Sequence, residues 1–429
     1  MKKKYRIILY TSIFLLCVVA SIILVVKKSN SVYEEESKPK VVKHKSMLSM
    51  NLEQTAGAGD YKTVTQSKWP TEGYKFNAEL SRCENGSTLS WDDTKKAVIV
   101  SGNLSDKCYV YFDIYQPTLA EYIKSQYTGT QGENSIYYHN SSLENGAGDN
   151  SYRYAGANPN NFVCFGSDAS PCPIDNLYRI IGVFGENYHG ANGKQLVKLI
   201  KYDYMTTDEL GTDGDYSQTY KEWGMDSTYK GTYGDGERIG VYYWNYKATG
   251  SATNTWSTSL LNKTNLNTNF INNIGTTWAN KIATVTWKVG GNTWANIGTK
   301  TSSVAYTNEI TNPVTTNTTD NATTYSAKIG LMYVSDYGFA ASPDAWTLTM
   351  SSYNNTTATN NNWMYMGLYE WTISRDADRS SSAFYVSNGG NVSSNVVSRD
   401  NGVRASFNLE SSVSYVSGSG SMSDPIVIN

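Results

Sequence analysis

The chain has 429 residues, more than one average domain, so about two or three domains are expected. Only 17% of residues are charged, 13% are aromatic and the net charge is -2, which excludes a highly charged disordered chain and a large basic nucleic-acid footprint. Tyr outnumbers Phe 34 to 10, and Asn, Ser, Thr and Gly are abundant, a mixture suited to a loop-rich extracellular β protein.

The first 28 residues carry the clearest signal. Lys2, Lys3, Lys4 and Arg6 precede an apolar run from Ile7 to Val26, and Lys27 and Lys28 close it. At about 1.5 Å per residue this run spans about 30 Å, the thickness of a bilayer core. A cleaved signal peptide would have a shorter apolar region and a small-residue cleavage site. Residues 1–28 are therefore read as a cytoplasmic tip and transmembrane signal anchor, single-pass, with the membrane contacted through residues 7–26. Basic residues are denser before the span, and Glu34, Glu35 and Glu36 follow it. The N-terminus is expected in the cytoplasm and the C-terminal domains outside the cell.

Residues 29–62 mix Lys and Glu with small polar residues and show no periodicity, so a disordered stalk is expected. Residues 63–114 read as a small β module. Ser87–Asp92, Ala97–Val100 and Cys108–Phe112 have β-branched or aromatic strand character. Cysteines in a chain that leaves the cytoplasm read as disulfides. Four cysteines outside the apolar run allow three connectivities; local pairing, Cys83 with Cys108 and Cys164 with Cys172, is favoured by the long stretch between the pairs, and the spacings do not fit a zinc site. The first bridge would stabilise a module too small to bury much apolar surface.

Residues 115–127 contain a short linker helix, Pro117–Lys124, with Pro in its first turn. The head is expected over 128–429. Leu177–Phe184 and Gln195–Lys201 flank a Gly/Asn turn as a hairpin. Residues 205–240 read as acidic loop, Ser259–Ile274 as one or two short helices, and Lys328–Val334 as a strand.

Four head segments occur in an ordered series: Tyr178-Arg179-Ile180-Ile181, Trp256–Asn262 with Phe270, Leu331–Asp336, and Tyr369-Glu370-Trp371-Thr372 followed by Val403–Phe407. Together they resemble bacterial extracellular domains related to the formylglycine-generating-enzyme type of C-type lectin fold. The resemblance implies an α+β, C-type-lectin-like head: a twisted antiparallel sheet, short helices and long loops that carry binding. It does not carry over the family's oxidase chemistry, because no Cys follows Cys172. Calcium-dependent sugar recognition has no matching motif; Asn158-Pro159-Asn160 is the nearest approach to one. Read from the residues alone, Trp371 is core and Glu370 pairs with Arg404.

Three histidines, His44, His139 and His189, lie in polar segments without an evident partner set, so an enzyme is less expected than a binding protein. No cofactor is expected. Calcium is possible only through weak candidates, Asp213 and Asp215, in an acidic loop that lacks the spacing of a calcium-binding loop. The segment from Ser380 to Arg404 is the candidate ligand-binding patch, through Tyr385, Ser387, Asn388, Asn391, Ser394, Asn395, Ser398, Asp400 and Asn401. Ser, Asn, Gly and Tyr supply contact area and adaptable hydrogen bonds, although the same residues also make β-turns. The expected partner is a surface glycan or protein and not a nucleic acid. Expectations of an extracellular enzyme acting on cell-wall or glycan substrates, or of a purely structural envelope protein, are the rivals.

Overall fold

The structure, a computed structural model, describes residues 48–65, 68–70, 73–212, 221–224, 229–233, 238–313, 323–354 and 360–429. The expected anchor at 7–26 and the calcium candidates Asp213 and Asp215 lie outside the described residues. Among the described residues, no helix is long and apolar enough to cross a membrane. The chain divides into two compact units, up to Gln116 and from Pro117 onward.

The first unit is built on strands β1 (Leu48–Glu53), β2 (Tyr61–Val64), β3 (Tyr74–Phe76), β4 (Arg82–Cys83), β5 (Thr88–Asp92), β6 (Ala97–Ser101) and β7 (Cys108–Ile114). β1 lies between β2 and β7 and runs parallel to β7, with Met50 opposite Val110 and Leu52 opposite Phe112. These four side chains are the buried centre of the unit. Phe112 is its aromatic hub, with ring centroids 5.6 Å from Trp91 and 5.9 Å from both Trp69 and Phe76. The disordered stalk expected over 29–62 therefore needs correction at its C-terminal end. Leu48–Glu53 and Tyr61–Val64 are strands, because alternate apolar residues of β1 find their partner surface on β7, some sixty positions away in sequence. The carboxylate of Glu53, also buried, accepts from the backbone amides of Gly59 (3.1 Å) and Ile114 (2.9 Å). The Cys83–Cys108 disulfide is formed.

The second unit opens with helix α1 (Leu119–Ser125). Expected as a linker, it is instead part of this unit's core, with Leu119 and Ile123 fully buried. The strands that follow are β8 (Ile136–Tyr138), β9 (Tyr152–Tyr154), β10 (Phe162–Cys164), β11 (Leu177–Phe184), β12 (Leu196–Lys201), β13 (Lys221–Gly224) and β14 (Arg238–Tyr243). Next come β15 (Val285–Lys288), β16 (Gly291–Asn292), β17 (Thr324–Ala327), β18 (Ile329–Gly330) and β19 (Glu370–Asp376). The chain ends with β20 (Ser382–Val386), β21 (Val392–Val396), β22 (Asp400–Gly402), β23 (Ser406–Asn408), β24 (Tyr415–Ser417) and β25 (Val427–Ile428). One seven-stranded sheet has the order β18-β23-β12-β11-β9-β8, with β10 also on β11; a second runs β13-β14-β22-β19-β20-β21, with β16 on β19. The architecture is α+β and mostly sheet, with short helices, and the Cys164–Cys172 disulfide is present.

The β11–β12 hairpin forms where its apolar runs place it, with every residue of both strands buried. The strand expected over Lys328–Val334 is cut short. Only Ile329–Gly330 pairs, and the chain then enters helix α2 (Val334–Phe339), whose first turn is capped by Asp336 reaching back to the Tyr333 amide at 2.9 Å. The segment 259–274 is helical, but Leu261–Phe270 is wound as a π-helix. Leu261, Leu266 and Phe270 are all buried, and the five-residue step between the first two suits the wider turn. The loop expected over 205–240 also carries β13 and the start of β14.

Candidate functional site

A cleft of about 160 Å³ opens on the second unit, lined by Tyr122, Gln126, Asn134, Ser135, Tyr154, Asn158, Asn160, Ser419 and Ile426. Four segments distant in sequence build it. Helix α1 supplies Tyr122 and its C-cap supplies Gln126, four residues on and so on one stripe, while Leu119, Ala120 and Ile123 beside that stripe are buried. Its start is held by a capping box, Thr118 Oγ1 accepting from the Glu121 amide at 3.2 Å and Glu121 accepting from the Thr118 amide at 2.9 Å. The Tyr122 ring stacks on Tyr415, with centroids 3.7 Å apart and planes 7° from parallel.

Asn134 and Ser135 form the next wall. Both have left-handed backbones, φ 53° and 59°, an unfavourable conformation that Asn tolerates better than most residues. The Asn134 side-chain amide donates to the Gln126 carbonyl at 2.8 Å and so ties this wall to the end of α1. Tyr154 ends β9 and is buried at the cleft floor. Beyond it, Asn158 and Asn160 are exposed on either side of buried Pro159. The Pro159 carbonyl accepts from Arg179 Nη2 at 3.0 Å, and Arg179 Nε donates to Asn161 Oδ1 at 2.7 Å. The loop is thus pinned from beneath by a buried cation. The last wall is the C-terminal hairpin. At Gly420, φ +79°, an added Cβ would lie 2.5 Å from the Asn160 carbonyl oxygen, so this close approach requires glycine.

The cleft lining contains four side-chain amides, two serine hydroxyls and two tyrosines, and no charged side chain. Burial pushes the Tyr122 hydroxyl up to about 12, so it remains a neutral donor near neutral pH. Amides offer donors and an acceptor on one group, which matches a ligand whose hydroxyls both donate and accept. A carboxylate–imidazole or carboxylate–carboxylate pair for acid–base chemistry is not part of this lining.

A second polar arrangement lies buried on the other face of β9. Successive strand residues point to opposite faces, so Arg153 turns away from the side that carries Tyr154. Arg153 pairs with Asp149 (Nη2 to Oδ2, 2.8 Å) and lies 3.8 Å from Asp336, while Lys198 Nζ meets Asp336 Oδ2 at 2.6 Å. Glu309 accepts from the Val334 amide at 3.1 Å, the Ser335 amide at 2.9 Å and the Ser374 hydroxyl. Burial drives the Glu309 carboxyl up to about 7. His139 and His189, expected in exposed segments, are both buried. The His139 ring packs against Phe339 and Trp346, and burial lowers its basicity well below the usual imidazole value.

None of the nine candidates from the 380–404 segment lines the cleft. They form a hairpin between β20 and β21 and the connection into β22. Ser387 Oγ donates to Asn391 Oδ1 at 2.5 Å across the turn, the Asn388 carbonyl accepts from Tyr365, and the Gly390 carbonyl accepts from Tyr337 at 2.6 Å. Asn395 accepts from the Val396 amide at 2.8 Å, and Ser394 hydrogen-bonds Asp376. Tyr385 is half-buried beside Tyr369 and Trp371, Asn401 is buried, Asp400 begins β22, and Ser398 is exposed. The local amides and hydroxyls here largely satisfy turn backbone. Sequence reading missed every cleft residue except the Asn158-Pro159-Asn160 triplet. Among the described residues, no group of three or more His, Cys, Asp or Glu is gathered for a metal.

No family model matches this chain, and neither a curated protein nor a solved structure is significantly similar to it.

Proposed function

We propose that the protein is a single-pass membrane protein, held by residues 7–26, that displays a C-type-lectin-like head outside the cell and captures a surface glycan. The observation that carries this reading is the lining of the cleft: amides, hydroxyls and tyrosine without a charged side chain. Such a surface suits a neutral, hydroxyl-rich ligand, with the aromatic ring covering an apolar sugar face and the amides reading its hydroxyls. The cleft is smaller than the roughly 300–1,000 Å³ typical of drug-sized ligand sites, so it suits the end of a glycan chain better than its middle. The two disulfides and the run of apolar residues behind a basic tip support an oxidising, extracellular setting. The lectin-like reading draws support from the antiparallel sheets, short helices and long connections of the second unit.

The test uses cells displaying the full chain, probed with panels of labelled neutral glycans and of proteins, with and without chelator. Capture of a neutral glycan that is lost in Asn158→Ala/Asn160→Ala supports the reading. Capture of proteins alone, or of nothing, overturns it. External protease that leaves all residues beyond 30 intact overturns the topology.

A further inference from the structure

We propose that Lys198 and Asp336 become joined inside the folded second unit by an intramolecular amide bond, formed with loss of one water molecule. Lys198 lies on β12 and Asp336 in the first turn of α2, 138 positions apart in sequence. Nζ is 2.6 Å from Oδ2, and neither side chain has any solvent exposure. The ammonium is enclosed by the rings of Tyr333, Tyr188 and Trp287, at 4.5, 4.9 and 5.0 Å from its nitrogen.

This enclosure favours condensation. Two charges held away from water carry a desolvation penalty that their attraction offsets only in part. Burial lowers the basicity of Lys198, which favours passing its proton to the carboxylate against it. A neutral amine is then held within reacting distance of the Asp336 carboxyl group, with the orientation already fixed by the fold. Amide formation then removes both charges from the interior.

The surrounding groups match the steps. Asp336 Oδ1 accepts from the Tyr188 hydroxyl at 2.7 Å, and that hydroxyl accepts from Lys198 Nζ at 2.6 Å, so Tyr188 bridges the two reacting groups. Arg153 Nη1 is 3.8 Å from the same Oδ1, and this buried nitrogen makes no hydrogen bond among the described residues. Oδ2 accepts from the Tyr333 amide at 2.9 Å. After transfer of one proton from Nζ to Oδ2, the amine lone pair attacks Cγ. Negative charge develops on Oδ1, where the Tyr188 hydroxyl and the Arg153 guanidinium face it. The second nitrogen proton passes to Oδ2, which lies against Nζ at 2.6 Å, so Oδ2 departs as water, while Tyr188 holds the charge on Oδ1, which remains as the amide oxygen. The ammonium and carboxylate thus yield one amide and one water, with no oxidant or other reagent. Glu309 is a positioning residue: by accepting from the Val334 and Ser335 amides it fixes the turn that presents Asp336.

The bond is read directly by mass spectrometry of the full chain, denatured, reduced and digested with trypsin. The expected product is a branched peptide joining Gln195–Lys201, uncut at Lys198, to Ile329–Arg375, lighter by one water than the two together. Lys198→Met abolishes it. Tyr188→Phe, which keeps the ring, forms it about 10²-fold more slowly, the scale of one lost donor to a developing oxyanion. Recovery of the two peptides unlinked, with Lys198 cleaved, from wild-type protein overturns the proposal and leaves a buried ion pair. An unchanged rate in Tyr188→Phe overturns the charge-stabilising role assigned to that hydroxyl.

Discussion

The guanidinium of Arg404 grips the carboxylate of Glu370 through two hydrogen bonds of 2.9 Å each, Nε to Oε1 and Nη2 to Oε2. Both side chains are buried, and Nη2 also donates to the Met364 carbonyl at 2.6 Å. The pair ties β19 to the approach into β23, and the next residue on β19, Trp371, is fully buried.

Removing one partner leaves an uncompensated charge in the interior. Glu370→Ala is expected to cost about 3–5 kcal/mol, read as a lower urea midpoint for the second unit. Replacing both residues by Met should cost clearly less, because no buried charge is then orphaned. Equal losses in the two variants would refute a cost dominated by the unpaired cation.

Glu309 makes stability depend on pH. Its folded pKa is raised from 4.5 to about 7, so its contribution is fully present below the unfolded value and is lost as pH rises through about 7. The size is about 3 kcal/mol, from about 1.4 kcal/mol per unit. The buried imidazoles of His139 and His189 act oppositely: their basicity is lowered by burial, so the stability they contribute is present above about 6.5 and is lost as pH falls below it. Comparison of wild type with Glu309→Gln isolates the first effect. The wild type should lose ground relative to the variant between about pH 5 and pH 8 in thermal unfolding. Parallel curves would exclude the assignment.

The two disulfides should differ in what their loss costs. Cys83–Cys108 closes a separation of 25 residues and Cys164–Cys172 one of 8. Loop entropy gives about 3.5 and about 2.5 kcal/mol respectively. The first bridge also serves a unit whose cluster holds four buried hydrophobic side chains among the described residues, so Cys83→Ser/Cys108→Ser should abolish its folding at 37 °C, whereas the second unit survives loss of its bridge. Limited proteolysis of the two double variants distinguishes them; the opposite order of sensitivity would contradict the assignment.

Asn158 and Asn160 are exposed, and Pro159 between them is held by Arg179. Asn158→Ala/Asn160→Ala should therefore change stability by no more than about 0.5 kcal/mol, while glycan capture falls at least about tenfold through lost hydrogen bonds. Arg179→Met, in contrast, should weaken both, since it releases the loop from beneath. Full retention of capture in the double variant would place the ligand elsewhere on the head.

Local chemistry was legible wherever neighbours in sequence are also neighbours in space. The β5, β6, β7 and β11–β12 strands follow from their apolar and β-branched runs, and of the three connectivities open to four cysteines the favoured local one is formed. The Glu370–Arg404 pair was legible because a charged residue beside Trp371 on a buried strand requires a partner. The amide- and serine-rich hairpin of 382–396 was legible as turn chemistry, and the fold spends Ser387, Asn391 and Asn395 on one another and on the local backbone.

Composition and charge alone determined that this is a weakly charged, tyrosine-rich chain with a long apolar opening run, since those properties need no partner. Tertiary structure alone decided the rest. It drew Leu48–Glu53 onto β7, joined α1 to a C-terminal hairpin to make a cleft, and brought Lys198 against Asp336. Each of these depends on burial between segments far apart in the chain, and hydrophobic and hydrogen-bond complementarity at such distances leaves no periodicity in the sequence.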